Sequence, residues 1–140
     1  MAEIRAAGER DLSRLLSGLR PVLCEGVFVF ATLPPGAATP AGLTPLMRFE
    51  EAEGTTLIME ADAAAVAGLH GVFRSRMITL AVPSSLEAVG FVAVIATRLA
   101  VSGISVNPVA GFHHDHLFVP EDRAQEAMAS LEALATESTA

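Results

Sequence analysis

A chain of 140 residues fits one compact body or two very small domains sharing a core, since a core much below about 70 residues is hard to stabilise alone. Hydrophobic residues make up 51% against 18% charged, more apolar surface than a monomer of this size readily hides, so burial in a homodimer is expected. The net charge of -7, with all nine basic residues arginine, argues against nucleic-acid binding and removes lysine chemistry such as Schiff bases and a P-loop phosphate contact.

The most apolar stretch, Val22 to Leu33, is broken by Glu25 and Gly26, so no membrane span and no membrane partner are expected. The first ten residues carry charge without the apolar run of a secretory leader, which predicts a cytoplasmic protein. The single cysteine, Cys24, has no internal disulfide partner and lies among Val22, Leu23, Val27 and Phe28, which predicts a small, buried, inert thiol.

Asp11 precedes Leu12, Leu15, Leu16 and Leu19, a spacing that predicts a capped helix with one leucine face, ended by Pro21. Val27 to Thr32 is β-branched and aromatic and reads as a strand buried on both faces. The prolines and glycines of Pro34 to Pro45 deny that segment both helix and sheet ladder, leaving a long loop that serves as a connector, a dimer-contact arm or a lid over a ligand. Leu46 to Glu50 and Thr55 to Glu60 flank a turn containing Gly54 and predict an antiparallel hairpin. A short helix over Ala61 to Ala67, stopped by Gly68, comes next.

Strand residues return at Val72, with an interruption expected at Arg74-Ser75-Arg76 before the strand Met77 to Val82. Ser84-Ser85-Leu86-Glu87 has the form of a capping box, which predicts a helix whose apolar stripe is Leu86, Val89, Ala93, Ala96 and Ala100, beside Val92 and Leu99. Gly103 stands where a left-handed stop belongs. Ile104 to Val109 and His116 to Val119 read as strands joined around Gly111, and Pro120 opens a last helix buried through Ala124, Ala127, Met128, Leu131 and Leu134. This C-terminal β-α-β-β-α pattern is one strand short of a complete ferredoxin-like sandwich. Since residues 136–140 are too short and polar to complete it, a strand from the N-terminal half is expected at the open edge.

The passage Leu86 to Val106, with Gly90, Leu99, Ala100, Gly103 and Ile104 at the matching positions, resembles the helix-to-strand passage of ACT domains. Extended through Asn107, Gly111 and His114 to Glu121 and on to Leu134, it is similar to the short, stand-alone bacterial tandem-ACT proteins. The resemblance covers about the last 60 residues well and the rest from Leu12 more loosely. It implies an α+β, ferredoxin-like fold of tandem β-α-β-β-α units sharing antiparallel sheet, with helices on one face and halves at 1–70 and 71–140. It also implies a regulatory, non-catalytic domain that binds an amino acid or related metabolite where two ACT units meet. The usual Asp-x-Pro-Gly loop before the helix is here Pro83-Ser84-Ser85.

An amino-acid ligand needs N–H donors for its carboxylate, an anion for its ammonium and an apolar wall. The start of the Leu86 helix offers donors, Asn107 an amide and Asp115 a counter-charge, so the candidate binding residues are Ser84, Ser85, Leu86, Gly90, Asn107 and Asp115. In an extended His113-His114-Asp115-His116, alternation puts His114 and His116 on one face and Asp115 with Leu117 and Val119 on the other. Two imidazoles alone do not make a metal site, and a third ligand such as His70 is required. The plainer reading is hydrogen-bonded histidines beside a turn, with no metal and no cofactor. A metal-dependent enzyme built on His114 and His116, and a ligand-free interaction subunit, are the competing functions. No serine or cysteine signature marks a nucleophile, and Glu50, Glu51 and Glu53 read as a solvated hairpin tip.

Overall fold

The computed structural model describes residues 8–139. The N-terminal residues 1–7, on which part of the no-leader reading rests, and residue 140 lie outside the described residues. The chain divides into a larger unit, residues 1–24 with 77–140, and a smaller one, Glu25–Arg76. The elements in chain order are α1 (Leu12–Ser17), β1 (Pro21–Leu23), β2 (Phe28–Leu33), β3 (Met47–Glu50), β4 (Thr55–Glu60), α2 (Ala61–Val66), β5 (Val72–Leu80), α3 (Phe91–Val101), β6 (Asn107–Ala110), β7 (Asp115–Pro120), a 3-10 turn (Glu121–Arg123) and α4 (Ala124–Thr139).

In the larger unit, Asp11 caps α1 as its position predicts, its carboxylate accepting from the Arg14 N–H at 3.0 Å. The expected edge strand is β1, which runs antiparallel to β5 with Pro21 opposite Leu80 and Leu23 opposite Ile78. The strand order in this unit is β1-β5-β7-β6. Leu15 and Leu19, Ile78 and Leu80 of β5, Leu117 and Val119 of β7, and the buried faces of α3 and α4 form one core. Arg98 of α3 ties the end of α4 through two parallel bonds to Glu137, at 2.7 and 2.6 Å.

Two expectations fail at the start of α3. The capping box does not form, and the helix starts at Phe91, with Gly90 as its N-cap in the left-handed region at φ 91°. The Ser84 hydroxyl is drawn to Asp115, the Ser85 N–H bonds the Glu9 carbonyl at 2.9 Å, and the Glu87 carboxylate faces Arg10 at 3.8 Å. The Glu87 N–H is taken instead by the Ser85 hydroxyl at 3.1 Å and the Ser84 N–H by the Val82 carbonyl at 2.7 Å, so the box's donors have local partners while its side chains turn to distant ones. The stripe is consequently Phe91, Ile95 and Leu99, spaced by four, whereas Leu86 is 57% and Val89 83% exposed. The C-terminal stop is as predicted, with Gly103 at φ 71° and its N–H bonded to the Ala100 carbonyl at 2.9 Å. The strand expected from Ile104 begins only at Asn107, while Pro120 closes β7 and caps the 3-10 turn that leads into α4.

The smaller unit has the strand order β3-β4-β2-β5. The hairpin β3-β4 has its predicted register, Glu50 opposite Thr55 and Met47 opposite Ile58. Gly54 is required at its tip by a close approach, because a Cβ there would lie 2.5 Å from the Leu33 carbonyl oxygen. Val29, Ala31, Leu33, Leu57, Met59 and Ala64 form the core, onto which Ala37 and Leu43 of the long loop pack. The interruption expected at Arg74-Ser75-Arg76 is absent, and β5 is continuous over nine residues. Ser75 is fully buried because its hydroxyl donates to the Phe28 carbonyl at 3.1 Å, which satisfies its polar group inside the ladder. The irregularity lies instead at Phe73, at φ 60°, where the β2-β5 register shifts. Phe73, a bulky residue in a backbone region that L side chains rarely adopt, makes an edge-to-face contact with Phe30, centroids 5.9 Å apart.

Candidate functional site

In the larger unit, the turn between β5 and α3, the first turn of α3 and the β6-β7 hairpin enclose a cavity of about 220 Å³. Ser84, Ser85, Leu86, Gly90 and Asp115, all singled out from the sequence, line it. Asn107 does not. It stands at the far end of β6, opposite Phe118, while Ala110 at the near end contributes to the wall. Residues that the sequence reading did not assign to the site complete the lining: Ala88, Phe91, Val92, Ala93, Ala110 and Gly111. Gly111 carried a usable signal as the hinge of a hairpin. Its N–H bonds the His114 carbonyl at 2.9 Å, and a Cβ on it would come within 2.9 Å of that same oxygen.

The cavity has two electrostatic poles. On one side, α3 begins without a side-chain cap, so the first-turn N–H groups of Phe91, Val92 and Ala93, which have no acceptor within the helix, stand beside the cavity at the positive end of its dipole. On the other, the Asp115 carboxylate accepts from the Ser84 hydroxyl at 3.4 Å. Burial raises the Asp115 pKa above its ordinary 3.8, opposed by the Ser84 hydrogen bond and by the charges of His116 and His114. The loop holding Ser84 and Ser85 is pinned by Glu9, whose backbone runs parallel to it. The apolar lining comes from Leu86, Ala88, Phe91, Val92, Ala93 and Ala110.

The alternation expected of His113 to His116 does not apply to the first two, because β7 begins at Asp115 and His113 lies in the bend before it, and the histidines do not converge. His114 donates through Nδ1 to the Val82 carbonyl at 3.3 Å, since a carbonyl can only accept. His116 Nδ1 lies 2.9 Å from the Thr79 hydroxyl, which in turn lies 3.4 Å from the sulfur of the half-buried Cys24. Burial lowers the His116 pKa, and the neighbouring His114 charge adds to this against the opposing pull of Asp115. Among the described residues, no group of three or more His, Cys, Asp or Glu side chains is arranged to hold a metal ion.

The smaller unit has broader hollows along its long loop, one of about 520 Å³ between Phe28, Leu43 and Ala63 and one of about 400 Å³ against Val66. Each has an acidic residue at the start of α2, Glu60 in the first and Asp62 in the second, but that helix is only six residues long. Arg48 anchors the loop, reaching the Thr39 hydroxyl at 2.6 Å and the Ala37 carbonyl at 3.4 Å.

Comparison with known proteins gives this geometry a family. Residues 7–76 match one ACT-domain model and residues 72–133 match a second. The chain belongs to the ACT-domain family. It is 43% identical to a Vibrio cholerae protein of unknown function, described as a possible transport protein, whose crystal structure superposes with a TM-score of 0.81 over 89% of this chain and 95% of that one. Two further likenesses show the fold alone. A putative C-terminal regulatory domain of aspartate kinase from Porphyromonas gingivalis is 12% identical, with a TM-score of 0.54 over 84% of this chain and 96% of that one. The ligand-free regulatory subunit of aspartate kinase from Thermus thermophilus is 9% identical, with a TM-score of 0.55 over 81% and 95%. No protein of curated function matches. ACT domains are ligand-binding regulatory modules rather than catalytic ones, so this tandem pair is regulatory. Among the described residues, no helix is long and apolar enough to cross a membrane.

Proposed function

We propose that this tandem ACT protein is a cytoplasmic, homodimeric sensor of an amino acid or a closely related zwitterionic metabolite, bound in the cavity between Ser84, Gly90 and Asp115. The observation that carries the reading is the pairing of an uncapped helix start with a half-buried carboxylate across a cavity of about 220 Å³. A ligand carboxylate meets the N–H groups of Phe91 to Ala93, while its ammonium meets Asp115 and offsets the cost of keeping that carboxylate charged. Ser84 and Ser85 orient the head groups, Leu86 borders the mouth and Gly90 lets the ligand approach the backbone. Asn107 sits outside the cavity lining and acts, in this reading, only where a second copy closes the site.

An unfolding-temperature screen against the amino acids tests the proposal. A true ligand at 100 times its dissociation constant stabilises by about 2.7 kcal/mol. Asp115→Asn should remove the shift while the protein stays folded. No shift with any amino acid would overturn the reading in favour of a ligand-free interaction subunit.

A further inference from the structure

We propose that Gly8 to Arg10 form a clamp across the ligand loop, and that closure of this clamp and filling of the cavity beside Asp115 reinforce each other. The inference rests on the ligand part of the proposed function and assigns the regulation of that site.

Glu9 pairs with the loop as one parallel strand pairs with another, through both of its backbone groups. Its N–H donates to the Pro83 carbonyl, and its carbonyl accepts from the Ser85 N–H at 2.9 Å. In a parallel pair one residue bonds to the two neighbours of the residue it faces, so Ser84 is bracketed from both sides. The Ser84 hydroxyl in turn donates to the Asp115 carboxylate at 3.4 Å, and both of these residues line the cavity. Glu9 is not among the lining residues. It is a positioning residue, which acts on the site through Ser84 and Ser85.

Gly8 shows that the contact is built into the sequence. Its backbone is in the left-handed region at φ 109°, and a Cβ there would come within 2.7 Å of the Pro83 oxygen, the Ser84 carbonyl carbon and the Ser85 nitrogen. Backbone therefore packs directly on backbone, an approach that glycine alone permits. The other end of the clamp is tied to α1. The Glu9 carboxylate accepts from the N–H groups of Arg10 at 3.1 Å and Asp11 at 2.9 Å, and Leu15 roots that helix in the core. Arg10 also faces Glu87 at 3.8 Å, an exposed pair that adds little.

The clamp is strong enough to set the loop and weak enough to open. Residues 81–90 belong to no helix or strand, and the bridge to Glu9 is an isolated one. Segments held in this way open at a free energy below that of global unfolding. An open clamp releases Ser84 from its place beside Asp115, whereas a zwitterion in the cavity holds Ser84 and Ser85 where Glu9 bonds them. Coupling of this kind is reciprocal, so the factor by which closure tightens binding is also the factor by which binding favours closure. Occupancy of the cavity is thereby reported on the outer side of the loop, at residues that touch no ligand.

Hydrogen exchange at the Glu9 and Ser85 amides, followed by nuclear magnetic resonance on the full chain, reads the clamp, and the Leu131 amide in α4 reads global stability. The probes are the amino acids of the unfolding-temperature screen, and affinity is measured for one that shifts the wild type. Gly8→Val clashes with the loop backbone and should weaken that affinity about tenfold, while saturation of the wild type should slow exchange at Glu9 and Ser85 by about the same factor. If Gly8→Val does not fold by circular dichroism, the milder Gly8→Ala takes its place. Asp11→Ala loosens α1 without removing a clamp bond and should leave the affinity at the wild-type level. A folded Gly8 variant with wild-type affinity, exchange unmoved by saturation, or an equal loss in Asp11→Ala would each overturn the coupling. Should no amino acid shift the wild type, the ligand reading falls and the clamp is tested from inside the cavity. Asp115→Ala removes the acceptor of the Ser84 hydroxyl and should speed exchange at Glu9 and Ser85 about threefold or more, with Leu131 unchanged. Unchanged exchange at Glu9 and Ser85 in that variant would overturn the clamp whatever the ligand.

Discussion

The two units of the chain place strands in equivalent orders, β3-β4-β2-β5 in the smaller and β6-β7-β5-β1 in the larger, yet the connection into the outermost strand differs between them. In the larger unit the connection from β5 to β6 holds the eleven-residue helix α3. In the smaller, the connection from β2 to β3 is the loop Pro34–Leu46, whose prolines leave Leu43 and Ala37 to pack on the sheet where a helix would have lain. A ferredoxin-like strand order therefore survives loss of a crossover helix, provided that the loop supplies apolar cover. The proposed ligand pocket has no counterpart at this crossover, because it depends on the N–H groups at the start of α3. The proposed sensor is accordingly asymmetric, with its zwitterion site in one unit only.

Core truncation has the largest expected effect and tests whether the units melt together. Leu131→Ala in the larger unit and Leu57→Ala in the smaller remove fully buried side chains, and each should cost about 2–5 kcal/mol. The chain lacks Trp and Tyr, so urea unfolding is best monitored by far-ultraviolet circular dichroism. Both substitutions should move a single transition. Two transitions, each shifted by only one substitution, would establish the units as independent folding bodies.

A smaller effect is expected at the hairpin of the smaller unit. Gly54→Ala forces a methyl against the Leu33 carbonyl and should cost about 1–3 kcal/mol, measured as a lower urea midpoint. The corresponding local test in the larger unit is Asp11→Ala, which removes the α1 cap and should cost about 1 kcal/mol. A loss at Asp11 as large as that at Gly54 would show that α1 contributes more to the larger core than one cap.

The smallest expected effect is a pH dependence confined to the larger unit. The folded Asp115 carboxyl titrates above its ordinary 3.8, so its stabilising contribution is complete below the unfolded value and is lost as pH rises through the raised folded one. His116 acts in the opposite sense: its folded pKa lies below 6.5, so its contribution is present above that value and is lost as pH falls through the lowered one. Replacing Asp115 with Asn should flatten the acidic limb assigned to the carboxyl and leave stability at neutral pH equal to or above that of the wild type. A neutral-pH loss on Asp115→Asn would show that its bond from Ser84 outweighs the cost of burying the charge.

Much of the local structure could be read from residues alone, because the rules that govern it act over three or four positions. The Asp11 cap, the β3-β4 hairpin, the stops at Gly68 and Gly103, and the Ala124, Ala127, Leu131 and Leu134 face of α4 all belong to this class. The need for a strand at the open edge was also legible, from the unfinished β-α-β-β-α pattern, although the three residues of β1 carry too little periodicity to identify themselves. What tertiary structure decided were contests between a local partner and a distant one. Ser84 and Glu87 satisfy the local form of a capping box, but Asp115 draws the Ser84 hydroxyl, Arg10 faces the Glu87 carboxylate, and the helix starts at Phe91 instead. Ser75 resembles a break in a strand until the Phe28 carbonyl satisfies its hydroxyl. Short-range patterns name which groups need partners, whereas only the packed chain determines which partners are near enough to bond and therefore where the cavity beside Asp115 opens.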